Sequence, residues 1–147
     1  MASVIAAIAD AVVTELNAQT WVESFTAVRR NLLDLEHHTD LDSLTVVVVP
    51  RIRERQVEDR STNRITYTVD VGVLQRIDAA TATTANTATD PLFELVEDID
   101  DHFDGQLPGY STAWSAGSEF LVDLAELQER HRFVGVLSLS FRVLSAR

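Results

Sequence analysis

Apolar side chains recur at steps of three and four through Ile5, Ile8, Ala9, Val12, Val13 and Leu16, the stripe of an amphipathic helix, with Ser3 placed to cap its start. The spacing predicts a first helix over about 3 to 18. A period of two takes over later: Ile65, Tyr67, Val69, Val71 and Val73 alternate with Thr66, Thr68, Asp70 and Gly72, as in a half-buried strand. Before it, Leu44 to Arg53 is rich in β-branched residues and ends in the alternation Val49, Pro50, Arg51, Ile52, Arg53. Pro50 has no N–H to give a ladder, so an edge or a bulge is expected near it. The two strands read as a long hairpin across the polar segment Gln56 to Asn63.

Between the first helix and this hairpin, Phe25 to Leu35 is mixed, and Glu36 to Asp42 is polar and reads as a loop. After the hairpin, Asp78 to Thr89 holds mainly Ala and Thr and reads as a connector. Asp90 then offers an N-cap with Pro91 in the first helical position. Leu92, Leu95, Val96, Ile99 and Phe103 form one stripe closed by Gly105, which predicts a second helix over about 91 to 104. Leu107 to Gly117 reads as loop, and Glu119 to Leu127 fits a strand or a helical turn equally. Phe133, Gly135, Leu137, Leu139, Phe141 and Val143 mark a last strand. The order helix, strands, helix, strands predicts an α+β fold: an antiparallel sheet with two α-helices packed on one face. Neither side of the Ala/Thr connector is large enough for its own core, so one domain spans 1 to 147.

Charge narrows the possible partners. The formal net charge is −11, and all 12 basic residues are arginine. A field of that sign disfavours general binding to nucleic acid or anionic membranes. The longest apolar runs, such as Val46 to Val49, fall far short of a membrane span. The N-terminus lacks the basic region of a signal peptide, and a soluble intracellular protein is expected. With no cysteine, disulfide scaffolds, thiolate nucleophiles and cysteine-held metals are excluded.

Candidate chemistry is sparse. His37 and His38 beside Asp40 and Asp42 carry the donor types of a zinc or iron site, but a plain solvated loop is the simpler reading. Asp98 to Gly105 resembles the start of a calcium loop, yet with Asp100 first and Gly105 sixth the third position is His102 and the twelfth Ser111. Ser111 lies near a nucleophile-elbow spacing but follows a helix and Pro108 where a strand is required. No catalytic residue, metal or cofactor is expected. The arginines say more. Arg51, Arg53, Arg55, Arg60 and Arg64 crowd the hairpin, and the alternate positions 51, 53 and 55 place three guanidinium groups on one face of a strand. Glu94, Glu97, Asp98 and Asp101 line the wet face of the second helix. An exposed sheet face guarded by charge accounts for the arginines. So does an interface in which this basic hairpin meets the acidic helix of a neighbouring copy, a heterologous contact that makes a ring if it closes.

Arg30-Asn31-Leu32, the run Leu41-Asp42-Ser43-Leu44-Thr45-Val46-Val47-Val48-Val49-Pro50, the polar loop ending Ser61 to Arg64, and Tyr67-Thr68-Val69-Asp70-Val71-Gly72-Val73 come in an order that, with the Asp90-to-Phe103 helix and the final Phe133-to-Val143 strand, resembles the tail terminator and related neck proteins of long-tailed bacteriophages and prophages. The similarity spans nearly the whole chain and rests on strand and loop patterns. It implies a non-enzymatic virion protein forming a homo-oligomeric ring, commonly of six subunits, between the tail tube protein and the head connector or stopper protein. It also implies assembly in the host cytoplasm, no membrane, and DNA passing through without specific binding. Two other classes compete: a small ligand-binding or enzymatic cone fold using His37, His38 and Asp40 in a pocket, and an adaptor domain using the same sheet. Within the neck, a head-completion or stopper protein is the nearest alternative to a terminator.

Overall fold

A computed structural model describes residues 3–30, 43–77 and 82–146. Helix α1 runs Val4–Ala18, and the Ser3 hydroxyl accepts the Ala6 N–H at its start. Ile8, Ala9, Val12 and Leu16 are buried along its inner stripe. At its end, the Asn17 amide accepts the Ala27 N–H at 2.8 Å and donates to the Ala27 carbonyl at 3.0 Å, doing for that residue what a neighbouring strand would do. Ala27 opens β1 (Ala27–Arg29), which lies parallel to β2 (Thr45–Val57). The sequence did not reveal this strand, because three residues are too few to display an alternation.

β2 pairs antiparallel with β3 (Thr62–Arg76), so the expected hairpin forms, longer than its apolar pattern suggested. The polar segment 56–63 contributes residues to both strands, leaving a turn in which the Glu58 and Asp59 N–H groups reach the Thr62 carbonyl. Helix α2 is Ala82–His102. The reading of 78–89 as connector is therefore corrected for 82–89, and Pro91 sits inside the helix; residues 78–81 lie outside the described set. Alanine favours helix without any apolar periodicity. Buried Thr89 donates its hydroxyl to the Ala85 carbonyl at 2.9 Å and so needs no other partner.

Two further strands complete the sheet: β4 (Trp114–Val122) and β5 (Arg132–Ala146), joined by α3 (Leu124–Arg130). The segment Glu119 to Leu127 is thus strand and then helix, divided at Asp123, whose carboxylate caps α3 through the Glu126 N–H at 3.1 Å. The strand order is β1-β2-β3-β5-β4. The α+β class stands, with two corrections: the β1–β2 pair is parallel, so the sheet is mixed, and a third helix is present.

The α1 stripe and the α2 stripe of Leu92, Leu95, Val96, Ile99 and Phe103 join one core with Val46, Val48, Val69, Val71, Leu137 and Phe141. The two long helices therefore cover one face. On the opposite face, Val47, Leu74 and Val134 form a smaller cluster edged by Val49. At the rim of the main core the exposed Phe93 stands edge-on to Phe120 and Phe133 in a trio of rings, and Gly135 lies against the latter two. A Cβ at Gly135 would lie 2.8 Å from Phe120 Cε2 and 3.0 Å from Phe133 Cε1. The Phe133 ring is fully buried and has no free space to withdraw into. Gly135→Ala should cost about 1–3 kcal/mol in chemical denaturation; an unchanged midpoint would mean the trio is loosely packed.

Candidate interaction surface

The geometry of the arginine-rich hairpin is set at Pro50. Pro50 pairs with Val69 but Ile52 pairs with Thr68, so Arg51 is an extra residue in a bulge. β1 ends opposite Val48, and among the described residues no strand pairs with that side of β2 beyond it, so proline and bulge interrupt no second ladder there. One inserted residue reverses the parity of everything after it. The expectation that Arg51, Arg53 and Arg55 share a face is corrected on this ground.

Arg51 turns to the face away from the two long helices. Its Nε lies 3.0 and 2.9 Å from the two Asp70 oxygens, its Nη2 lies 3.3 Å from Ser138 Oγ, and Ser138 Oγ donates to Asp70 at 2.7 Å. Its charge is matched within the chain. Arg53 and Arg55 pair across the ladder with Tyr67 and Ile65, residues of the main core, and so lie on the helix-bearing face. The Arg53 guanidinium carbon stands 5.9 Å from the centre of the Tyr67 ring, a cation–π contact. Glu54 pairs with Thr66 and falls on the opposite face. Arg60 is exposed in the turn, and Arg64 pairs with Glu58. Beside them, Asp59 has its carboxyl held below the usual range because it accepts the Ser61 N–H and hydroxyl.

The same bulge shapes the end of the sheet. Every residue from Arg51 to Arg60 is exposed, while β3 and β5 continue their pairing to Thr62 and Ala146. A three-stranded arm therefore outruns the helices, with Ile52, Val57 and Leu144 exposed on it. The acidic residues sit elsewhere. Glu94, Glu97, Asp98 and Asp101 are exposed on α2, opposite its buried stripe, within an arc of about 100°. Among the described residues no ion pair engages these four acids, nor Arg53, Arg55 or Arg60. The structure brings Arg53 and Arg55 together, sets Arg51 and Arg64 apart from them, and keeps the acids on another element.

Other candidate chemistry is not assembled. His37, His38, Asp40 and Asp42 lie outside the described residues. Among the described residues no three His, Asp or Glu side chains form a group able to hold a metal. His102 instead ties the two long helices, with Nε2 2.7 Å from Glu15 Oε1 and its ring edge-on to Trp21. Ser111 precedes β4 rather than a helix, so no elbow forms around it. A shallow concavity of about 600 Å³ on the face away from the long helices is lined by Arg51, Asp70, Glu119, Leu121, Val136 and Ser138. Asp70 already occupies its one guanidinium. Among the described residues no helix is long and apolar enough to cross a membrane.

Comparison with known proteins found no match, either to a protein-family model or to a curated protein.

Proposed function

We propose that the chain is a structural, non-enzymatic subunit that assembles with copies of itself into a ring at the neck of a phage-like tail, ending the tail tube and joining it to the head connector. The carrying observation is the arm: a sheet that runs past its helices and leaves Ile52, Val57 and Leu144 on uncovered strands is built to be covered by another molecule. The order of elements, which resembles that of tail terminators, supports the same reading. A formal charge of −11 also suits the wall of a passage that DNA crosses without adhering, since like charge repels phosphate. In this reading the protein resides in the virion after assembly in the host cytoplasm, between a tube protein and a connector.

The test is native mass across a concentration series, followed by negative-stain imaging of any large species. A closed ring with an axial opening is the expected result. A chain that stays monomeric to millimolar concentration would overturn the reading.

A further inference from the structure

The ring reading leaves open which surfaces meet, and the charges resolved by the bulge point to one answer that rests on that reading. We propose that the helix-bearing face of the arm, carrying Arg53 and Arg55, seats the acidic face of α2 from a second copy of this chain, through Glu94, Glu97, Asp98 and Asp101. Arg51 takes no part.

Three observations carry this. The first is charge sorting. Beyond the bulge, alternation puts Arg53, Arg55 and Val57 on one face and Ile52, Glu54 and Gln56 on the other, so the helix-bearing face of the β2 arm holds two cations and no acid. Arg51 already belongs to Asp70. The second is the composition of α2, which has six carboxylates and no arginine over Ala82–His102. Acids three and four residues apart repel along the helix, as Glu94 does with Glu97 and Asp98, and as Asp101 does with Glu97 and Asp98. Near the C-terminal end they also oppose the helix dipole. A cationic surface laid on this stripe removes both penalties. Third, the spacings match. Two residues along a strand advance about 6.8 Å, and four along a helix about 6 Å, so Arg53 and Arg55 can face Glu97 and Asp101 together.

The lever that makes the contact intermolecular is its asymmetry. The basic and acidic surfaces lie on different elements, and the described residues show no ion pair between them within the chain. Each copy therefore offers one arm and one helix. A contact between unlike surfaces leaves both ends unsatisfied until a ring closes. In the assembly α2 lies between two sheets, its own against the apolar stripe and its neighbour's against the acidic one.

Charge exchange tests this with the full chain. One variant carries Arg53→Glu and Arg55→Glu, the other Glu97→Arg and Asp101→Arg; all four positions are exposed, and circular dichroism confirms that each variant folds. Each alone should assemble on the order of 100-fold more weakly than the parent, since like charges then face each other. An equimolar mixture should regain rings, because each variant's altered surface meets the other's. Arg51→Gln should assemble like the parent. Parent rings should also loosen in 1 M salt, where screening acts within about 3 Å. If the parent forms rings and the reversed variants form them equally well, or the mixture fails to recover, this interface is wrong while the ring stands. If the parent never assembles and the mixture does not associate either, ring and interface fall together.

Discussion

Phe103→Ala should remove about 3–5 kcal/mol from the folded protein, a large share of the 5–15 kcal/mol that holds a domain of this size together. Phe103 follows the last residue of α2, is 1% exposed, and keeps its N–H on the Ile99 carbonyl. Its ring stands edge-on to Phe141 of β5 at 6.5 Å and to His102 at 5.4 Å. Truncation opens a cavity where the helix layer meets the sheet, and the surrounding strands cannot close over it without shifting their register. Urea denaturation should show a lower midpoint with an unchanged slope. A loss below about 1 kcal/mol would mean the site collapses freely and the ring does not anchor α2.

A loss of about 2–4 kcal/mol is expected for Trp21→Ala, from a side chain that acts by a different route. The Trp21 indole N–H donates to the Leu16 carbonyl at 2.8 Å, satisfying one of the acceptors that the end of α1 leaves open. The ring packs edge-on against His102 at 5.4 Å and stacks on Phe25 at 6.4 Å. It thus ties the end of α1, the approach to β1 and the end of α2 into one junction. Trp21→Phe keeps most of the apolar contact but not the N–H, and should recover about half the loss. Equal losses for the two variants would assign the whole effect to the hydrogen bond.

What the sequence made legible follows from how each element meets the core. α1 and β3 present long stripes to it, and their periods of 3.6 and 2 predicted α1 nearly to its ends and the apolar centre of β3. The first half of α2 was hidden because Ala and Thr can form a helix without burying a stripe: Ala88 packs against the core and Thr89 is buried, while Thr84, Asn86 and Thr87 are exposed. β1 was hidden by brevity. It is held partly by a side chain, Asn17, that no strand pattern encodes. The candidate surface was legible in its residue types but not in its geometry. Pro50 announced a bulge, and counting one residue through that bulge would have separated Arg51 from Arg53 and Arg55; alternation read straight across it merged them.

The pairing of β3 with β5 also sets the order in which this chain can fold. Partners in that ladder stand from 56 to 84 positions apart in sequence, from Arg76↔Arg132 to Thr62↔Ala146. β2 and β3 can close as a local hairpin soon after synthesis, but the central strand keeps one bare edge until the last of β5 has left the ribosome. Loop closure on that scale slows folding and lengthens the time an apolar strand such as Ile65 to Val73 stays open to wrong partners. The acidic excess offsets part of that exposure, because like charge slows the meeting of half-made sheets on neighbouring nascent chains.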